Sequence, residues 1–317
     1  MSAVLPGICE AEIWQLLASC EICPLRCRVN RLAGRAGGCR VTGKEVWVAK
    51  AQLHMWEEPC ISGTNGSGTV FFSFCNLRCV FCQNHEISQA GRGRRLTVDE
   101  LVRLFLRVQE IGAHNLNLVS PTHFLPHVAI ALRRARRSGL EIPVVYNTNA
   151  YETVAALRFL EGLVDIYLPD LKYASDGPGS PARRYSRAPG YFAAATAAIL
   201  EMFRQVGPPQ FGADGLIRRG LIIRHLVLPG HLEETRAVLR WIANNLPRSV
   251  YVSLMAQYIP VHRAPLYPEI NRGLTEAEYE EALEYFEALG LENGYRQELG
   301  AASESFIPRF DLDLAGL

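Results

Sequence analysis

The sequence predicts an α/β fold organised around a parallel sheet, and three observations predict it. From residue 69 onward, six short apolar runs alternate with six helix-period segments. Two capping boxes, Thr97-Val-Asp-Glu100 and Thr275-Glu-Ala-Glu278, start helices inside that series. Polar residues gather just after the apolar runs, where a parallel barrel collects its functional groups. The expected strands are 69–74, 115–119, 143–147, 164–168, 221–228 and 250–255, and the expected helices are 97–112, 126–138, 151–161, 191–206, 232–245 and 275–290. Such alternation implies parallel strands covered by helices. Six units are two short of a closed eight-fold barrel.

Length and composition set the frame. A chain of 317 residues can bury a large core as one domain or as a domain with an appended lobe. The net charge of +1 offers no bulk footprint for nucleic acid or an anionic membrane, so neither is an expected partner. No apolar run approaches the ~20 residues of a membrane span. The first residues, MSAVLPGICEAEIW, lack a basic segment followed by an apolar stretch, so no signal peptide is expected. Nine cysteines without an export signal point to metal ligation in a reducing, cytoplasmic setting rather than to disulfides.

Residues 1–60 are expected to form a cysteine-rich lobe, followed by the barrel over 61–317 with a C-terminal extension. Within the lobe, Cys20, Cys23, Cys27 and Cys39 follow the spacing C-x2-C-x3-C-x11-C. Proline after Cys23 and glycines before Cys39 suit tight turns that aim amides at sulfur. Four cysteines so close imply a second metal centre, either iron–sulfur or structural zinc. Cys9 and Cys60 lack spacing partners and read as buried small hydrophobes. Residues 41–50 read as a hairpin with Gly43 in its turn. The glycine-rich run 61–69 lacks the phosphate-loop lysine and reads as a connector; Glu57 and Glu58 before Pro59 read as turn residues.

The first barrel strand leads into Cys75-Asn-Leu-Arg-Cys79-Val-Phe-Cys82, a C-x3-C-x2-C set with no fourth cysteine nearby. Three thiolates on one loop can hold three irons of a 4Fe-4S cluster and leave the fourth open for a ligand. Zinc usually takes four closed ligands from paired knuckles, which this loop lacks. The later strands end in Ser120-Pro-Thr-His123, Asn147-Thr-Asn149 and Asp170-Leu-Lys172; the fifth carries Arg224-His225, and the sixth carries Ser253 and Met255 before Gln257-Tyr258. His123 and His225 are the candidate acid–base residues, since histidine titrates near neutrality. Tyr258 and Cys60 are candidate radical relays. The arginine runs 92–95 and 133–137 read as solvated faces, or as a docking surface for an acidic electron donor. Residues 174–189, rich in Gly, Pro, Ser and Arg, read as a long mobile loop.

With Phe81 before its last cysteine, the triad resembles the signature of the radical S-adenosylmethionine (SAM) superfamily. The resemblance implies a partial (β/α)6 barrel, a 4Fe-4S cluster, and reductive cleavage of SAM to a hydrogen-abstracting 5'-deoxyadenosyl radical. Segments 57–59, 66–68, 79–84, 146–149, 165–172 and 224–230 are similar to the branch that includes pyruvate formate-lyase activating enzyme. That similarity implies SAM-side roles for Phe81, Asn147, Asn149, Lys172 and Arg224. The strand-two G-G-E of that branch is absent, and Val119-Ser-Pro-Thr-His123 stands in its place, with Ser120 or Thr122 as substitute acceptor. It further implies a protein or peptide substrate, with a small molecule as the alternative, and reduced flavodoxin or ferredoxin as electron donor. A non-catalytic iron–sulfur or zinc protein is the remaining reading.

Overall fold

The computed structural model describes residues 8–291, 293–297 and 300. The first elements are α1 (Glu10–Gln15), β1 (Val46–His54), α2 (Pro59–Ser62), β2 (Ser67–Phe72), α3 (His85–Ser88), β3 (Arg94–Leu96) and α4 (Val98–Glu110). The middle of the chain forms β4 (Leu116–Val119), α5 (Leu125–Arg137), β5 (Val144–Thr148), α6 (Val154–Leu157), β6 (Ile166–Pro169), α7 (Pro181–Ser186) and α8 (Tyr191–Val206). The described chain ends with β7 (Gln210–Phe211), β8 (Ile217–Leu226), α9 (Leu232–Asn245), β9 (Tyr251–Met255), α10 (Glu276–Ala288) and β10 (Gly294–Arg296). No described helix is long and apolar enough to cross a membrane.

The sheet order is β10-β9-β8-β6-β5-β4-β2-β1-β3, with β7 on β8. From β2 through β4, β5, β6, β8, β9 to β10 every neighbouring pair is parallel. All six expected barrel strands are present. β10 adds a seventh parallel strand that three residues of Gly-Tyr-Arg did not announce. Strands β2, β5 and β6 are buried along their whole length, as strands covered on both faces must be.

Local chemistry explains the helices. Thr97 accepts from the Glu100 amide while Glu100 reaches back to the Thr97 amide, and Thr275 and Glu278 repeat the pattern. On α4, Val98, Leu101, Leu104, Phe105 and Val108 are buried at helical spacing. The 151–161 helix is shorter than expected: only Val154–Leu157 is α-helical, followed by a 3-10 turn at Arg158–Leu160. Tyr151 and Glu152, outside it, are buried and hydrogen-bonded elsewhere.

The hairpin expected over 41–50 does not form. Only β1 is a strand there, and it pairs antiparallel with β2 and β3. Strand β1 thus extends the barrel sheet, and Ile13, Leu17, Cys20 and Cys39 belong to the same apolar core as the barrel residues. Residues 174–189 are no free loop either, since they contain α7 with Tyr185 and Ser186 buried. The 133–137 run is only partly a solvated face. Arg133 is buried, Arg134 pairs with Glu10 and Asp99, and Arg136 pairs with Asp165. Cys60 is buried as expected, whereas Cys9 is exposed ahead of α1. The C-terminal extension lies largely outside the described residues.

Close approach at Gly68 lets β2 lie against α4. A β-carbon there would collide with Val108 and stand 2.8 Å from the Asn115 carbonyl. Gly68→Ala is expected to lower the unfolding free energy by about 1–3 kcal/mol through overpacking, measured by urea denaturation.

Candidate active site

The cysteine loop begins where β2 stops. Phe74 turns the chain with a left-handed φ of 67°, and Gly91 leaves the space its ring occupies. The loop is then fixed from several sides by backbone bonds. Arg78 N–H donates to the Ser186 carbonyl at 3.0 Å and Val80 N–H to the Tyr185 carbonyl at 2.8 Å. Arg263 N–H donates to the Val80 carbonyl at 2.8 Å, and the Gln89 side chain to the Cys79 carbonyl at 2.8 Å. Residues 174–189 therefore buttress the loop.

Polar groups meet all three sulfurs. The Leu77 amide and the Asn149 side chain donate to Cys75 at 3.4 and 3.5 Å. The Ser186 hydroxyl stands 3.0 Å from Cys79 Sγ, and that of Ser88 stands 3.2 Å from Cys82 Sγ. Burial pushes all three thiols up, Cys82 to about 11, while the Lys172 ammonium pulls each down. Such thiols become thiolates only beside strong positive charge, which metal supplies. Among the described residues no three Cys, His, Asp or Glu side chains close around a single-ion position. Three thiols from one loop that line one cavity are the donor set of an iron–sulfur cluster with one open iron, whereas structural zinc takes four closed ligands.

The three cysteines line a cavity of about 540 Å³. Of the residues given SAM-side roles, Phe81, Ser120, Asn147, Asn149, Lys172 and Arg224 line it too; Thr122 does not. Within it, Lys172 Nζ bonds Asp170 Oδ2 at 2.7 Å and Arg224 Nε bonds Asp170 Oδ1 at 2.9 Å. Arg224 also donates to Asn147 Oδ1 at 2.6 Å and pairs with Glu57 Oε2 at 3.3 Å. Asn117 and Asn147 donate to Glu57 Oε1 at 3.1 and 3.3 Å. Burial opposes charge throughout. At Asp170, the Arg224 and Lys172 cations outweigh it and hold the carboxyl below its ordinary value. At Glu57 and Glu58 burial wins over Arg224 and pushes both up.

Glu57 and Glu58 are the site residues that sequence reasoning missed. They were read as turn residues, yet both line the cavity. The segment carrying them falls between β1 and α2, and nothing in Glu-Glu-Pro reveals that the chain passes the barrel interior there.

Two candidates are corrected. His123 does not line the cavity; its Nε2 lies 2.8 Å from the Ser73 carbonyl, and burial lowers its pKa to about 3. His225 follows Arg224 on β8, so strand alternation turns it to the other face. There its ring nitrogens meet the Leu171 carbonyl at 2.7 Å and the Thr235 hydroxyl at 2.9 Å, and burial lowers its pKa to about 4. Tyr258 lines the cavity with its ring edge-on to Phe81, while its hydroxyl donates to the Ile270 carbonyl. Cys60 is outside the cavity lining.

The four N-terminal cysteines also converge. Their thiols act electrostatically on one another, and burial pushes Cys23 up to about 12. The Gly38 amide donates to Cys27 Sγ at 3.3 Å, and a β-carbon on Gly37 would stand 2.9 Å from that sulfur. Arg31 is fully buried beside them. One guanidinium nitrogen donates to the His123 carbonyl at 2.7 Å, and the other two have no partner among the described residues.

Residues 69–242, more than half of the chain, match the radical SAM superfamily. The chain is also 34% identical over 295 residues to an uncharacterized protein of Methanocaldococcus jannaschii, an alignment spanning 87% of this chain and 77% of that relative. The chain belongs to the radical SAM superfamily, and is thereby an enzyme of the class that works with a 4Fe-4S cluster and SAM.

Thr122 has a structural role with a measurable consequence. Its hydroxyl, with that of Thr148, donates to the buried Glu152 carboxyl, which burial pushes up from 4.5 to about 7. The folded state then holds a proton that the unfolded chain has released, so stability falls as pH rises through that window. Glu152→Gln is expected to reduce that fall, read as urea midpoints of both proteins between pH 5 and 8.

Proposed function

We propose that Cys75, Cys79 and Cys82 hold the cluster and that the adjoining cavity takes SAM and the substrate. One observation carries this reading: the three cysteines share a single cavity with six of the residues given SAM-side roles. When bound, the cluster and SAM supply one-electron cleavage of the sulfonium and hydrogen abstraction. The chain's own residues bind and orient. Lys172 spends one of its three donors on Asp170 and keeps others for a carboxylate. The side chains of Asn147 and Asn149 serve ribose hydroxyls, and Phe81 with Leu77 shields the loop's inner side.

Substrate access favours an activase-like enzyme acting on a protein or peptide. The cavity reaches both Trp56, just after β1, and Tyr295 to Gln297 at β10, on opposite flanks of a sheet whose described strands do not close. A gap between the end strands would admit an extended segment. A small molecule is the alternative substrate.

The N-terminal cysteines, expected as a lobe over residues 1–60, are proposed as a second centre in the segment ahead of β1, packed on the barrel core. Buried Arg31 has no carboxylate partner among the described residues, and a tetrathiolate centre beside it would supply negative charge. Iron–sulfur is preferred to zinc because Cys20, Cys23 and Cys27 stand so close together in the sequence. Reduced flavodoxin or ferredoxin in the cytoplasm is the proposed electron donor. Arg40, Arg187 and Arg263 each act on Arg78 of the cluster loop as like charges, a surface suited to an acidic donor.

Anaerobic iron, sulfide and zinc analysis with a SAM-cleavage assay tests the core. Alanine at Cys75, Cys79 and Cys82 is expected to remove about four irons per chain and all 5'-deoxyadenosine formation. Alanine at Cys20, Cys23, Cys27 and Cys39 is expected to remove only the second metal. SAM cleavage surviving the first variant overturns the assignment. For the donor surface, Arg40→Glu with Arg187→Glu is expected to slow reduction by flavodoxin about tenfold or more at low salt, while dithionite reduction stays unchanged.

A further inference from the structure

Ser186 grips two consecutive residues of the cysteine loop. Helix α7 ends on it, and Arg187 then turns the chain with a left-handed φ of 53°. Carbonyls in a last helical turn have no partner within the helix. Those of Tyr185 and Ser186 are taken by the Val80 and Arg78 amides. The Ser186 side chain turns to the residue between them, with its hydroxyl 3.0 Å from Cys79 Sγ. Behind it stands Tyr173, whose hydroxyl lies 2.7 Å from Ser186 Oγ. Both residues are fully buried, and the Tyr173 ring packs edge-on against Tyr191 with centroids 5.5 Å apart.

Counting protons fixes the direction of this chain of hydroxyls. A serine hydroxyl has one proton, and a metal-bound thiolate can only accept. If Ser186 donated to Tyr173, the buried phenol proton would have no acceptor and the sulfur no donor from either hydroxyl. With Tyr173 donating to Ser186 and Ser186 to Cys79, both protons are used. Such a run polarises each bond in turn, and a donor to an anionic acceptor is the stronger kind. Cys82 also meets a hydroxyl, that of Ser88, but among the described residues no second hydroxyl stands behind Ser88. Cys75 meets amides, from Leu77 and Asn149.

Donors to cluster sulfurs stabilise the more negative, reduced state and so raise its potential. We propose that Tyr173 and Ser186 form a directional hydroxyl pair that raises the reduction potential of the centre held by the cysteine loop, acting through Cys79. Neither residue lines the cavity, so both are positioning residues that act on the centre from behind the loop. The proposal rests on the radical SAM reading of that loop.

The test is an anaerobic redox titration of the reconstituted full-length protein, followed by electron paramagnetic resonance. The signal that changes on adding SAM reports the loop's centre and separates it from a second one. Ser186→Ala is expected to lower the ratio of reduced to oxidised centre about tenfold at a fixed solution potential, a downward shift of about 59 mV for one electron. Tyr173→Phe, which leaves the Ser186 donor in place, is expected to shift it in the same direction by less. Adding Tyr173→Phe to Ser186→Ala is expected to change nothing further, because the phenol acts only through the serine. Iron content and thermal midpoint show that each variant is folded and loaded. A merely structural pair would move the thermal midpoint and leave the potential at the wild-type value, and that result overturns the proposal. So does a Tyr173→Phe shift that persists in full beside Ser186→Ala. Should Ser186→Ala take up no iron, Tyr173→Phe decides alone, and an unchanged potential again overturns the proposal. Wild type without a SAM-responsive signal overturns the radical SAM reading, and the proposal with it.

Discussion

The Arg224 guanidinium holds the interior of this barrel together. From β8 it reaches Asp170 beyond β6, Asn147 on β5 and Glu57 on the segment between β1 and α2. Four separate stretches of chain thus share one buried cation. Taking such charges out of water is costly unless each finds a partner, and here the geometry supplies partners on every side. The cost of removing Arg224 would fall on all of them together, because Asp170 would keep only Lys172 and Glu57 would lose the cation paired with it. The network also leaves Lys172 directed by Asp170 while it acts on the cysteine thiols.

The cysteine loop depends on a different constraint. Its amides find their acceptors outside the loop, at Ser186 and Tyr185. Those residues belong to a stretch whose Gly, Pro, Ser and Arg content suggested a long mobile loop. Composition alone misleads there because two buried side chains, Tyr185 and Ser186, outweigh the polar majority around them. The N-terminal lobe closes on the same loop from another side, where Arg78 donates to the Gly38 carbonyl at 3.3 Å.

What the sequence revealed follows the range of the interactions involved. The C-x3-C-x2-C set and the two capping boxes are local, so their spacing carried their meaning. The six strands are apolar and short, and the alternation made them legible. Glu57 and Glu58 were not legible, because their role depends on where a connector passes relative to strands 60 to 170 residues away. Strand β10 is too short and too polar to stand out. His225 shows the opposite case: the alternation that turns Arg224 inward already turns its neighbour outward, and reading the strand by faces would have separated the two.

The placement of β10 has a consequence for how the cavity is completed. Its three residues pair with β9 and bring Tyr295 to Gln297 against the cavity. The cysteine loop that lines the same cavity precedes them by more than two hundred residues. The cavity is therefore a product of tertiary closure: no short contiguous piece of the barrel contains it, and both ends of the described parallel series must be in place before its lining is whole.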